Sequence, residues 1–264
     1  KVALSKQILL DDIVWLYCRS GELGCSLDEK LKTNLIEKYT LLYKEIYENN
    51  VGNGSCPSIH EYYQSWKLRG DNPQCYRLEE KEFNAALETT ELVYFDRFRF
   101  NPRVDNNLRR NKRYRDLYYY YHFNKKVREK GNEVTEFKVT KEYIKLARIM
   151  QDKMIAELAC KGIGIETNPS SNYLIGTIKK YEEHPILMFN SRKLKATNTG
   201  ENLCVSINTD DQGVFDTLLE NEYALMTLAL KKATDDDMNA LYDIKDIYEW
   251  SDYVRRMGID QVFS

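Results

Sequence analysis

Histidine is scarce in this chain, which has three histidines among 264 residues and no H-x-H pair. Six cysteines are scattered and none forms a C-x-x-C pair, so the spacing of a zinc knuckle is absent. A disulfide framework is not expected at this size, and reduced thiols of a cytoplasmic protein are the simpler interpretation. No apolar run approaches the roughly 18 residues of a membrane helix, and residues 1–10 lack a signal-peptide pattern. We therefore expect a cytoplasmic protein without a membrane span.

Neither sign of charge dominates, because 39 basic and 41 acidic residues give a formal net charge of -2. This balance does not indicate a protein built mainly to bind nucleic acid. Hydrophobic residues make up 42% and charged residues 30% of the chain, which is typical of a globular protein with a real core. The length allows one large domain or two small ones.

Residues 1–140 have a mainly helical pattern, which predicts a helical insertion or accessory segment. Capping boxes at Ser26-Leu-Asp-Glu29 and Ser58-Ile-His-Glu61 predict two helix starts. Further helices are predicted over 79–98 and 107–130. Within the last of these, the aromatic run 117–123 favours a helix with a broad packing face. Arg109 to Arg115 lie just upstream, so base stacking on nucleic acid remains a second interpretation of this run.

From residue 141 onward, helices alternate with short apolar strands that end in polar loops. Such an order is the βα unit of a parallel sheet or barrel. In (β/α)8 barrels the catalytic residues lie where strands end and loops begin. The predicted segments are a helix over 147–160, strands over 163–167 and 203–207, polar turns over 168–172 and 208–213, a helix after the capping box Thr217-Leu-Leu-Glu220, and a helix over 244–257 that stops at Gly258.

Two adjacent carboxylates, Asp210 and Asp211, follow the second apolar strand. Like charges repel each other, and burial opposes their ionisation, so a divalent cation is one way to stabilise the pair. Adjacent residues at a strand end point in different directions, so one carboxylate can bind metal while its neighbour faces a substrate. Acidic pairs also cap helices, and the residues alone leave both interpretations open.

Three ordered motifs carry a resemblance to a known family: Ile165-Glu-Thr-Asn-Pro-Ser-Ser-Asn172, Tyr181-Glu-Glu-His-Pro185 and Val205-Ser-Ile-Asn-Thr-Asp-Asp211. They closely resemble the last two strands of the adenosine deaminase family of metal-dependent hydrolases. The resemblance covers roughly residues 140–264. It implies an α/β fold in which 141–264 form the C-terminal βα units of a (β/α)8 TIM-type barrel, after the mainly helical segment 1–140.

The resemblance also implies a catalytic zinc ion and hydrolytic deamination of adenine at C6. Asp210 maps to a zinc ligand, and Asp211 maps to the residue that hydrogen-bonds the purine. The zinc of the family activates the attacking water. Glu166 is a further candidate for substrate binding or acid catalysis, with a buried carboxylate bonded to loop amides as the alternative. The expected substrate is a purine nucleoside or nucleotide.

More narrowly, Gln212-Gly-Val-Phe215, Leu219-Glu-Asn-Glu-Tyr-Ala-Leu225 and Met257-Gly-Ile-Asp-Gln261 resemble the deaminase-like subunit of the RADAR anti-phage defence system. This narrower resemblance implies a role in antiviral defence, a homo-oligomer and an ATPase as partner. Gln212 departs from the family pattern, which usually has Pro at that position.

The larger departure is that the family's metal-binding histidines are missing. The chain has only His60, His122 and His184. We interpret His184 as a loop-structure residue, His60 as a helix-surface residue and His122 as a packed one. One aspartate cannot hold zinc, which takes three protein ligands even at an open site. We therefore expect the other ligands in a missing N-terminal barrel half or in a partner chain, and we expect this chain alone to be inactive.

Two functions remain open on the sequence. In the first, the complete protein is a zinc-dependent purine deaminase. In the second, the chain is a non-catalytic, oligomer-forming scaffold that recruits a partner, which the long aromatic-rich helical half favours.

Overall fold

The computed structural model describes residues 1–48, 55–88, 100–194 and 202–263. It is a mixed α/β structure that is mostly helical, with few strands. It divides into two compact units, Lys1–Arg148 and Ile149–Ser264. One helix, Lys141–Cys160, spans the division. No helix among the described residues is long and apolar enough to cross a membrane.

The first unit combines helices with one antiparallel strand pair. Strands β1 (Val2–Ser5) and β2 (Val134–Phe137) pair from Val2 with Phe137 to Ser5 with Val134. The sequence did not predict these strands, because each is only four residues long and their pairing joins the two ends of the unit. The helices of this unit are α1 (Lys6–Glu22), α2 (Glu29–Tyr43), α3 (Ile59–Trp66), α4 (Glu80–Glu88), α5 (Asn106–Arg110), α6 (Lys112–Phe123) and α7 (Lys125–Asn132), followed by α8 (Lys141–Cys160) across the division.

One of the two capping boxes predicted in this unit is confirmed and one is wrong. Ser58 accepts the backbone N–H of Glu61, and the Glu61 side chain accepts the N–H of Ser58. At α2 the cap is Asp28, whose side chain accepts from Leu31, so Ser26 does not cap this helix. Asp is as good an N-cap as Ser, and the position nearer the helix is the one used.

The segment predicted as one helix over 107–130 forms three short helices, α5, α6 and α7. Asn111 and Asn124 interrupt it, and each adopts an extended backbone and caps the helix that follows. An Asn side chain competes for backbone N–H groups in this way, and helical periodicity does not reveal it. The helix predicted over 79–98 is confirmed as Glu80–Glu88, and residues 89–98 lie outside the described part of the chain.

The aromatic run 117–123 is helical, as predicted. Tyr118 is 1% exposed and donates its hydroxyl to the carbonyl of Asp71 at 2.7 Å. Arg109, from the basic stretch upstream, is buried and bonded to the Asp71 carboxylate at 2.7 and 2.8 Å. The burial and the hydrogen bond of Tyr118 support core packing for this residue of the run.

The second unit contains the parallel pair β3 (Ile165–Thr167) and β4 (Val205–Ile207), with Ile165 beside Val205 and Thr167 beside Ile207. The predicted adjacent parallel strands are therefore confirmed. Helices cover one core that includes Ile186, Val205 and Trp250. The helices are α9 (Pro169–Ile175), α10 (Ile186–Phe189), α11 (Gln212–Phe215), α12 (Leu219–Lys232) and α13 (Ile244–Phe263).

Three local predictions in this unit are wrong. The polar turn predicted over 168–172 is mostly helix, because Pro169 occupies the first helical position, where its missing N–H costs nothing. The last helix continues through Gly258 to Phe263. A side chain at Gly258 would meet the Cβ of Ser206 at 3.3 Å, so this glycine serves close packing. At α12 the N-cap is Leu218, without a side-chain cap, and Thr217 bonds Glu222 instead.

Candidate functional site

The loops that follow β3 and β4 leave from the same end of the parallel pair. The ladder continues one step past β4, because Asn208 donates its N–H to the carbonyl of Thr167 at 2.9 Å. The Thr167 hydroxyl also donates to the carbonyl of Ser206 at 2.8 Å. Carboxyl ends of parallel strands are where barrel and sheet enzymes place their reactive groups. The polar residues 168–172 and 208–211 therefore form a candidate site at this end.

Asp210 is exposed and adopts a left-handed backbone with φ of 59°. Such a conformation is uncommon for a residue with a side chain, although Asp tolerates it better than most. The buried Ser171 donates its hydroxyl to Oδ2 of Asp210 at 2.7 Å. The bond joins the loop after β3 to the loop after β4, and it fixes the direction of the Asp210 carboxylate.

Asp211 is exposed and caps the short helix α11. Its Oδ1 accepts the backbone N–H groups of Gly213 at 3.0 Å and Val214 at 3.2 Å. Within the described part of the chain its Oδ2 has no hydrogen-bond partner. The capping interpretation of the acidic pair is therefore confirmed for Asp211, whose Oδ1 caps α11.

Glu166 lies in β3 beside Ser206 and is exposed. It makes no hydrogen bond or ion pair with another described residue. The alternative interpretation of Glu166, a buried carboxylate bonded to loop amides, is therefore wrong.

The carboxylate with that environment is Glu222, in the first turns of α12, and the sequence did not single it out. Glu222 is fully buried. It accepts the Ser170 N–H at 2.8 Å, the Ser170 hydroxyl at 2.5 Å and the Thr217 hydroxyl at 2.7 Å. The one available signal was an acidic residue inside an apolar helix, four positions before the buried Met226. Glu222 thus fixes Ser170. The residue after Ser170 is Ser171, which donates its hydroxyl to Asp210.

His184 is 2% exposed and supports the same loop. Its Nδ1 accepts the backbone N–H of Ile186 at 3.2 Å, and its Nε2 lies 3.0 Å from Oδ1 of Asn172. Burial lowers the pKa of His184 to about 4, against the opposing charge of Glu222. The ring is neutral at pH 7, and both of its nitrogens are engaged, which supports the loop-structure interpretation.

The two other histidines lie in the first unit. His60 is exposed on α3, as predicted, with its Nδ1 3.6 Å from Sγ of Cys18. His122 is packed against the rings of Tyr118 and Tyr121, with centroid distances of 4.5 and 4.8 Å.

The side chains at the strand ends do not by themselves fit a zinc ion. Among the residues that the structure describes, no group of three His, Cys, Asp or Glu side chains could hold a metal ion. A catalytic zinc site keeps three protein ligands besides its water. Asp210 can offer one carboxylate oxygen to such a site, because its other oxygen accepts the hydroxyl of Ser171.

Residues 146–242 match the family model described as adenosine deaminase. No curated protein matches the chain. The matched segment contains both strands of the parallel pair, Asp210, Asp211, His184 and Glu222, together with the bonds that join them. Members of this family act on purine nucleosides by hydrolysis and are generally metal-dependent. The match supports the adenosine deaminase family for this segment, and with it a deaminase-like function.

Proposed function

We propose that residues 141–264 contribute the last two strands of a zinc-dependent purine deaminase barrel. Asp210 would be one ligand of the zinc ion, and Asp211 would hold the purine. The observation that carries the proposal is the coincidence of two results. The segment that matches the deaminase family is the one in which a parallel strand pair presents two carboxylates at its carboxyl end.

The geometry of the acidic pair supports different roles for its members. Asp210 is held through Oδ2 by Ser171, so its other oxygen is oriented before any ligand binds. Preorientation of this kind lowers the cost of binding, because the side chain loses little freedom on complex formation. Asp211 is held through Oδ1 by two backbone N–H groups and leaves Oδ2 to accept from a purine N–H.

The reaction of such a barrel replaces the C6 amino group of the purine by oxygen from water and releases ammonia. When bound, zinc supplies the activation of that water. The residues of this chain contribute binding and orientation: Asp211 fixes the base, and the Ser171–Asp210 bond and Glu222 keep the two loops in place. The remaining metal ligands and the group that moves the proton come from outside this chain.

A zinc and activity measurement on the purified chain tests this division of labour. After dialysis against metal-free buffer and addition of one equivalent of zinc, we expect less than stoichiometric retention by elemental analysis. We also expect no ammonia release from adenosine or AMP. Tightly bound zinc at one ion per chain, or clear turnover, would show that the chain holds a full ligand set and would overturn the proposed division.

The second candidate is a non-catalytic scaffold, which the long, aromatic-rich helical segment 1–140 favours. The narrower resemblance, to the RADAR deaminase-like subunit, suggests a homo-oligomer that recruits an ATPase in antiviral defence. Light scattering on the complete protein, with zinc content measured on the same sample, separates the two. A zinc-free oligomer without ammonia release would support the scaffold, whereas one zinc per subunit with turnover would support the enzyme.

A further inference from the structure

A polar cavity in the first unit has no part in the proposed deaminase function. It has a volume of about 370 Å³ and lies between the end of α6 and helix α7. Tyr121, His122, Arg128 and Asn132 line it together with Gln7. Its volume falls within the range of sites that take small molecules. None of the residues that line it is acidic.

Three of the polar side chains at this cavity have no hydrogen-bond or ion-pair partner within the described part of the chain. Nε2 of His122 is buried and lacks a hydrogen bond. Arg128 and Asn132 make no side-chain hydrogen bond or ion pair with another described residue, and they lie one turn apart on the same face of α7. Gln7 differs, because Asp11, Tyr47 and Tyr62 already use its amide. An unpaired buried nitrogen is unfavourable, because burial removes it from water without giving it a hydrogen-bond partner.

The charges around the cavity are mainly positive. Helix α7 carries four basic residues and one acidic residue. Lys125 and Lys130 have carboxylate partners, at 3.8 and 2.7 Å, but Arg128 has none in the described structure. The Arg69 guanidinium lies 3.7 Å from the ring centre of Tyr121, and Asp11 pairs with it. The field in the cavity therefore favours an anion over a cation.

Burial and two nearby arginines shift the pKa of His122 in the same direction. Burial, with Arg69 and Arg128 as further causes, lowers its pKa to about 4, so the ring is neutral at pH 7. The charged groups that act on this imidazole are the two arginines. An anion in the cavity would offset them and would favour the protonated ring.

We propose that this cavity binds the phosphate group of a small phosphomonoester through Arg128 and Asn132, with the His122 imidazole as the adjoining wall. Arg and amide N–H groups are suitable donors for phosphate oxygens. The cavity volume exceeds that of a bare phosphate ion, which leaves space for a group of about the size of a sugar. Inorganic phosphate shares the recognised chemistry, and separate titrations distinguish the two sources.

The test uses the intact chain labelled at histidine and followed by NMR. Its three histidines give a spectrum with built-in controls, since His60 and His184 lie outside the cavity. Ribose 5-phosphate and inorganic phosphate are titrated separately at constant ionic strength, with chloride as balance and ribose as a control. We expect a saturable shift of His122 alone and a rise of its pKa at saturation. Tighter binding of ribose 5-phosphate than of phosphate identifies the phosphomonoester, and equal binding identifies the free ion.

Two exposed residues of α7 provide matched variants. Arg128→Gln removes a charge at the cavity wall, and Lys126→Gln removes the same charge from a position outside it. A charged hydrogen bond contributes about 1.5–3 kcal/mol, so Arg128→Gln should weaken binding by about 10-fold or more. Lys126→Gln should change it less than about threefold. The proposal is overturned by an unsaturable shift, by equal shifts of all three histidines, or by equal effects of the two variants.

Discussion

Substitution of Glu222 tests whether one buried carboxylate organises the candidate site. Glu222 accepts three hydrogen bonds, from the Ser170 N–H and from the hydroxyls of Ser170 and Thr217, at distances from 2.5 to 2.8 Å. Bonds to a charged acceptor contribute about 1.5–3 kcal/mol each, so the gross contribution is roughly 5–9 kcal/mol. The carboxylate loses several kcal/mol of hydration on burial, and removing it recovers part of that. We expect Glu222→Ala to lower the free energy of unfolding of the second unit by about 3–5 kcal/mol.

Glu222→Gln gives the sharper result, because it keeps the size of the side chain. The amide oxygen can still accept the Ser170 N–H. Its NH2 group, however, then faces two hydroxyls that donate in the native structure, and both must turn to accept instead. We expect a loss of about 1–2 kcal/mol. Glu220→Gln is the matched control, since Glu220 lies in the same helical turn, is exposed and has no partner among the described residues; its effect should stay within about 0.5 kcal/mol.

Hydrogen exchange with peptide resolution is the suitable measurement, because a chain of two units need not unfold in one step. Peptides that cover 165–175 and 217–232 should lose protection together in both Glu222 variants, and peptides from the first unit should not change. If Glu222→Gln changes the protection of 165–175 no more than Glu220→Gln does, the buried carboxylate does not hold the loop, and its role as organiser of the site is refuted.

Three further predictions concern other parts of the chain. In a protein or assembly with the full ligand set, Asp210→Ala should lose zinc and activity together. Asp211→Asn should keep zinc and lose roughly 2–4 kcal/mol of transition-state stabilisation; zinc content and kcat/KM measured together would contradict the assignment if the effects were exchanged. Ser58→Ala should cost α3 about 1 kcal/mol and Ser26→Ala close to nothing, as urea denaturation of the first unit can show, because only Ser58 caps a helix. The pKa of His184 is lowered to about 4 from an ordinary 6.5, so the folded state favours the neutral ring. The contribution of this neutral ring to the free energy of unfolding is complete above pH 6.5. That contribution, up to about 3 kcal/mol, is lost as the pH falls to 4, and His184→Gln should flatten the decrease in urea midpoint between pH 7 and pH 4.5.

Much of the second unit could be predicted from the sequence, because its signals are local. Two short apolar runs that end in polar residues predict parallel strands, and the strands Ile165–Thr167 and Val205–Ile207 lie within the predicted ranges and pair in the predicted sense. Helix ends were predicted less well. Gly258 was interpreted as a helix stop, but it lies inside a helix, where Ser206 packs closely against it. A glycine that ends a helix and one that allows close packing look the same in a sequence.

The sequence by itself determined that polar residues follow both apolar strands, with Asp210 and Asp211 after the second. It also determined that no H-x-H pair is present, since both facts follow from residue order alone. Only the tertiary structure decided which of two glutamates, Glu166 or Glu222, is buried. Glu166 follows an apolar strand residue and is exposed, whereas Glu222 lies in an amphipathic helix and is buried with three donors. The donors come from Ser170 and Thr217, the first of them more than 50 positions away. Burial of a charge depends on donors that converge from distant segments, and folding alone brings those segments together.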